Sequence, residues 1–250
     1  YLKTGASLWW SDDQQSFIPH GENGINWGYH EQLSSVFTEV DWQPVNQLAI
    51  RLGLRAEHSQ LLDDVNLAPR FALAYGIGEN GQISLAGGRF FQTPQDPYLR
   101  LAQPLSFERA DHFLINYQWQ SDRRTLRVEG YWKNYESLAT SSQIQLIPGA
   151  MVANAGSGYA RGMDFFWRDQ ETFDLLDYWV SYSFLDTERE YAHFGEAVIP
   201  TFASTHNLSV VAKRYIPMIT SQIGLTYSFA SSRPYHDPNL GSWNLGRTPA

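Results

Sequence analysis

The feature that most narrows the fold of this chain is a two-residue rhythm that runs along nearly all of it. Leu48, Ile50, Leu52 and Leu54 alternate with Gln47, Ala49, Arg51, Gly53 and Arg55. Phe113, Ile115, Tyr117 and Trp119 alternate with His112, Leu114, Asn116 and Gln118, and Ile223, Leu225, Tyr227 and Phe229 with small or polar residues. Alternate side chains of an extended chain point to opposite faces, so each such stretch is a strand with one apolar and one polar side. Helical periodicity is nearly absent. The rhythm predicts eleven strands, at 1–12, 30–43, 47–58, 66–76, 82–92, 109–120, 124–137, 158–168, 174–186, 205–214 and 218–230. Most run to about 10–13 residues, whereas soluble strands usually run about 5–6. A tilted strand crossing a bilayer needs about 9–11.

The connections carry a second rhythm. The stretches 43–47 (QPVNQ), 78–82 (GENGQ), 120–124 (QSDRR), 169–174 and 215–218 (YIPM) are short. Between them fall longer ones at 59–66, 92–108, 139–157, 186–205 and from Ser231 onward. Outer-membrane barrels have short turns on the inner side and long loops outside. Thr125–Leu138, TLRVEGYWKNYESL, shows what that implies. Leu126, Val128 and Trp132 would face lipid, and Arg127, Glu129 and Lys133 a wet lumen. Bacterial single-chain barrels have an even strand count, and an open edge cannot sit unpaired in lipid. Eleven strands therefore lead us to expect a partial barrel.

Composition agrees without deciding. Charged residues make up 18% and aromatic residues 15%, which suits a wall banded by aromatic girdles and also a carbohydrate-binding sandwich. A net charge of −8 with no basic cluster argues against a nucleic-acid partner. There is no cysteine, and no apolar run long enough for a membrane helix. The seven histidines form no H-x-x-x-H pair, and no G-x-S-x-G or phosphate-binding loop is present. No enzyme and no cofactor is expected, although acidic loop residues could hold Ca2+ without leaving a motif.

Several motifs in order resemble one family. The run Leu67–Leu99, LAPRFALAYGIGENGQISLAGGRFFQTPQDPYL, resembles the middle of the barrel in TonB-dependent outer-membrane receptors. It carries the Pro69–Arg70 pair, the strand end Gly88–Pro94 and then Tyr98–Leu99. Glu108 and His112 in FERADHF, the strand VEGYWKNY at Val128–Tyr135, GYARGMD at Gly158–Asp164, His206 and Arg233-Pro234-Tyr235 continue the series. Asp164 stands where glutamate is usual. The resemblance covers about Leu67–Asp237.

It implies that residues 1–250 belong to one outer-membrane barrel domain, about 11–12 strands of a 22-stranded wall, from the second half of a receptor whose N-terminal plug lies outside this chain. It also implies energy-coupled uptake, with external loops binding a scarce ligand and the TonB complex acting through the N-terminal region. The candidate cargoes are a siderophore, cobalamin, haem, a glycan or a peptide. Lipid is an obligate partner and a surface lipoprotein a further candidate. Two other functions stay open at this point: a structural barrel subunit of an outer-membrane assembly, and a soluble carbohydrate-binding β-protein.

The candidate lumen-facing residues are Arg51, Arg55, Glu57, Arg127, Glu129, Lys133 and Asp164. Tyr98, Tyr191, His193 and Phe194 are the candidate ligand contacts, because they lie in the external loops 92–105 and 188–201. For each set there is a plainer reading, salt bridges that brace the wall and aromatic packing within loops. The acidic, aromatic character of the loops argues mildly against a strongly anionic cargo.

Overall fold

The computed structural model describes residues 1–250 except 18–24, 102–103, 237–244 and 249–250, so the expected histidine at position 20 and the end of the tail lie outside the described residues. Eleven strands form one sheet in strict chain order, each antiparallel to the next. They are β1 (Leu2–Phe17), β2 (Ile25–Val45), β3 (Leu48–Ser59), β4 (Asp64–Ile77), β5 (Gly81–Gln92), β6 (Glu108–Gln120), β7 (Arg124–Ser141), β8 (Val152–Asp169), β9 (Leu176–Arg189), β10 (His206–Ile216) and β11 (Ser221–Ala230). A separate two-stranded ribbon, β12 (Pro234–His236) with β13 (Leu245–Arg247), lies in the tail expected to be loop. A one-turn helix, α1 (Asp96–Leu99), sits between β5 and β6.

Several strands outrun their expected bounds, most of all at the loop end. β1 reaches Phe17, β2 begins at Ile25, β7 reaches Ser141 and β8 begins at Val152. The β7–β8 ladder gets there through register shifts at Glu136, Leu138 and Thr140. The sequence rhythm breaks at these irregularities, because a bulge moves the following side chains to the other face. The long connection expected at 59–66 is also corrected, since only 60–63 separate β3 from β4.

Register settles which residues share a face. Val40, Leu52 and Phe71 stand opposite one another on β2, β3 and β4, and Leu85 faces Ile115 across β5–β6. Phe113, Trp132, Val180, Val210 and Tyr227 continue the same side. It carries no cover, with Leu52 56%, Phe113 57% and Leu225 72% exposed. A contiguous apolar surface spanning eleven strands needs a non-aqueous neighbour. Near the short turns that face ends in rings, Trp42, Tyr75, Tyr117, Trp119, Trp167 and Tyr178, as a membrane girdle does. Near the loops it becomes ionic. Arg89 meets Asp111 at 2.8 Å, Arg109 meets Glu136 at 2.6 Å and Arg161 meets Asp186 at 2.8 Å.

A compact apolar cluster gathers where the loops fold back. Tyr29, Tyr98, Leu99, Leu105 and Ala139 are buried together, with Leu61, Leu62, Leu146 and Val152 against them.

Candidate functional site at the loop end of the polar face

The polar face is built by the other residue of each alternating pair. All seven candidate wall residues lie on it, but in two different environments. Arg51 bonds Asp41, which Lys3 also holds at 2.8 Å, and Arg55 meets Glu57 at 2.7 Å. Farther round, Arg127 lies over Phe166, 5.9 Å from the ring centre, and Lys133 over Tyr131 at 5.3 Å. Glu129 stands directly across from Asp164 and accepts from Asn116 at 3.4 Å.

Two cross-strand rows define the most organised part of this face. One row runs Arg70, Gly88, His112 and Lys133 across β4 to β7. The row above it runs Phe90, Ala110, Tyr135, Gly158 and Arg189 across β5 to β9. Each row has an arginine at one end with a glycine beside it. Arg70 lies across Gly88 and places its guanidinium 4.6 Å from the centre of Phe90. Arg189 lies across Gly158 and comes within 4.1 Å of Tyr135, with Phe202 at 5.5 Å. A Cβ on Gly88 would stand 3.0 Å from Arg70 Cγ, and one on Gly158 2.8 Å from Arg189 Cγ. The glycines let both side chains lie flat against the sheet, and the two cations converge from opposite sides on the wall formed by β6.

Beside Arg189 opens a cavity of about 290 Å3, lined by Phe90, Glu108, His112, Tyr135, Leu138 and Arg189. His112 stacks on Phe90 at 4.6 Å. Glu108 is the acid of the cavity, and both its oxygens are engaged: Ala139 N–H donates to one at 2.8 Å and Gln92 Nε2 to the other at 3.0 Å. Among the described residues Arg70, Lys133 and Arg189 make no ion pair, and the buried Nε of Arg189 has no acceptor.

The loops close over this end. Arg100 reaches from the β5–β6 loop to Asp13 and Gln15 of β1, each at 2.9 Å, and Tyr29 donates to Asp96 at 2.9 Å. Asn154 at the start of β8 holds the same loop by accepting from Ser106 N–H at 2.7 Å and donating to the carbonyls of Ser106 and Ser137 at 3.1 and 2.8 Å. Tyr98 is a buried member of the loop cluster rather than a surface ring, at 8% exposure, and burial pushes its phenol pKa up, aided by the negative charge of Glu108. Phe194 is buried at 7% and stacks with His193 at 4.4 Å and Tyr191 at 5.4 Å. Burial also raises the Tyr191 phenol pKa. Of the four loop candidates, then, two are buried and two half-buried, in packing that joins the β5–β6, β7–β8 and β9–β10 connections.

Sequence reasoning did not single out Arg70, Phe90, Tyr135 or Arg189 as site residues, and took Glu108 and His112 only as family markers. Alternation alone could have put Phe90, His112 and Tyr135 on one face. It could not have put Arg70 and Arg189 into one site.

The fold and its faces define a class: an antiparallel meander with a bare apolar outer side and a charged inner side, a section of a transmembrane β-barrel wall. Residues 2–250 match the family model "TonB dependent receptor-like, beta-barrel", and the chain belongs to that family, whose barrels lie in the bacterial outer membrane. No curated protein sequence matches it. Among solved structures it is similar to the FrpB iron transporter of Neisseria meningitidis, with a TM-score of 0.76 at 14% identity over 98% of this chain and 43% of that one. It is similar to the ferric-catecholate import receptor Fiu of Escherichia coli K12, with a TM-score of 0.71 at 11% identity over 98% and 44%. The ferric enterobactin receptor PfeA of Pseudomonas aeruginosa follows, with a TM-score of 0.70 at 10% identity over 93% and 39%. The chain thus spans less than half the length of each of these structures. The soluble-protein and purely structural readings are not favoured.

Proposed function

We propose that this chain forms half the wall and part of the mouth of a receptor that imports a scarce ligand across the outer membrane, with energy supplied by the TonB complex. The observation that carries this reading is the segregation of the two faces. A barrel that served only as an anchor would need the apolar side but not an inner surface lined with charges and closed over by packed loops. In this reading the polar face borders the lumen, Arg51, Arg55, Glu57, Arg127, Glu129, Lys133 and Asp164 line it, and the β5–β6 and β9–β10 loops with Tyr98, Tyr191, His193 and Phe194 shape the mouth. FrpB, Fiu and PfeA are named for iron, ferric catecholate and ferric enterobactin, which makes iron chelates the first cargo to test.

The test is uptake of radiolabelled ferric chelates by cells carrying or lacking the gene, with and without a dissipated proton gradient. Import that needs both the gene and the gradient is the expected result. Gradient-independent or gene-independent import of every chelate would remove iron from the cargo list.

A further inference from the structure

We propose that the short-turn rim of β8–β11 is a phospholipid site. The β8–β9 and β10–β11 turns sit in the inner leaflet of the membrane with Arg214 against a lipid phosphate, while the other short turns stand in water. Three observations meet there. The first is a difference between turns at the same end of the wall. The connections 46–47 (NQ), 78–80 (GEN) and 121–123 (SDR) carry no apolar side chain. The other two carry Phe173, Leu175, Met218 and Ile219, with Met218 95% and Ile219 61% exposed. These two turns are neighbours, because Tyr215 N–H donates to the Leu175 carbonyl at 3.0 Å. Large apolar side chains gathered at one place on a surface need a non-aqueous neighbour.

The second observation is continuity with the lipid-facing side, which identifies that neighbour. On that side Tyr178, Ala212 and Leu225 share a row, and Leu176, Arg214 and Ile223 form the next row toward the turns. Phe173 leans back onto the girdle ring of Tyr178, with 6.2 Å between the ring centres. The apolar surface therefore passes the girdle and reaches the turns. Among the described residues Arg214 makes no ion pair, unlike Arg124 with Asp169 and Arg168 with Asp177 at the same end. An arginine in such a place lays its stem on apolar surface and carries its charge to headgroup level, where the phosphates of a glycerophospholipid lie. The third observation is backbone strain. Leu175 has a φ of 62° and Thr220 one of 47°, a left-handed conformation that bulky and β-branched residues rarely adopt. The polar β4–β5 turn has Gly78 at the same φ of 62°, where glycine bears no such strain. In water Leu175 would combine strain with an exposed apolar side chain. In the leaflet, burial of that side chain offsets the strain.

The chain has no cysteine, so Met218→Cys can carry a single bimane fluorophore in this segment. In the full-length receptor refolded into phosphatidylcholine vesicles, that label should be quenched by lipid bearing a doxyl group near its headgroup and shielded from aqueous iodide. A label at Asn80→Cys, in a polar turn, should behave in the reverse way. Doxyl-labelled phosphatidylglycerol at low mole fraction should be enriched around the Met218→Cys label over labelled phosphatidylcholine by roughly 5-fold, the equivalent of one cation at an anionic lipid surface. Arg214→Gln should abolish that enrichment and leave the shielding from iodide unchanged. Enrichment that survived Arg214→Gln would overturn the phosphate contact. Iodide access at Met218→Cys equal to that at Asn80→Cys would put the turn in water and overturn the site. A Met218→Cys label reached by neither quencher would mean that protein covers the turn, and would overturn it as well. If a label at Ile115→Cys, at mid-strand on the apolar side, escaped lipid labelled deep in the acyl chain, the barrel assignment itself would fail.

Discussion

Two stretches of the same polar face hold their charges in different ways. On β1–β3, Lys3, Glu39, Asp41 and Arg51 form one connected ionic cluster and Arg55 pairs with Glu57. On β4–β9, Arg70, Arg127, Lys133 and Arg189 rest on Phe90, Phe166, Tyr131 and Tyr135. The first stretch has its counter-ions built in, and its net field close to the wall is small. In the second, apart from the Arg168–Asp177 pair near the short-turn end, ring faces hold the cations through their quadrupoles without cancelling the charge. A wall braced by ion pairs is therefore electrostatically quiet, and a wall braced by cation–ring contacts keeps its charge on offer.

That contrast is confined to one face, and the largest expected effect marks the boundary. Ile115→Arg puts a charge on the apolar side at mid-strand and should cost about 2–4 kcal/mol of folding stability in lipid vesicles. Asn116→Arg, one residue on and facing the other way, should cost little. Urea titration of the refolded receptor compares them, and equal losses would mean that the faces are assigned wrongly.

The next effect bears on the glycines that make ring-stacking possible. Gly158→Val would bring its Cβ to 2.5 Å from the Glu188 carbonyl and 2.8 Å from Arg189, so it should destabilise by roughly 1–3 kcal/mol, the usual cost of overpacking. It should also lift Arg189 from Tyr135. A smaller loss belongs to Arg189→Met, which keeps bulk on the ring and should cost only about 0.5–1 kcal/mol in the same titration.

The smallest effect is that of Asp41→Ala. It leaves Lys3 and Arg51 to share Glu39 alone and should lower the melting temperature slightly. Exposed pairs are screened, so raising the salt should erase the difference between Asp41→Ala and the parent protein. An Asp41→Ala loss that persisted at high salt would show that the cluster stabilises by packing rather than by charge.

Much of this molecule was legible in advance. All eleven sheet strands follow from the two-residue rhythm, and so do their faces, because alternation is a local property of an extended backbone. Arg127, Glu129 and Lys133 could be set against Leu126, Val128 and Trp132 from fourteen consecutive residues. The alternation of short turns and long loops placed the membrane class for the same local reason. What escaped was whatever depends on how loops fold back. Ligand contact and packing within loops were both open for Tyr98 and Phe194, and their burial could not be read locally, because Tyr98 is covered by Tyr29, Ala139 and other residues far away in the chain.

By itself, then, the sequence determined the eleven strands of the sheet, their sidedness and the family, each written in short-range periodicity or in ordered motifs. Only the tertiary structure decided which charges meet. Arg70 and Arg189 belong to strands five apart, and their placement depends on five successive ladder registers that leave Gly88 and Gly158 beneath them. A one-residue slip in any of these would send one arginine to the lipid side. Register is set by pairing between distant segments, and no window along the chain contains it.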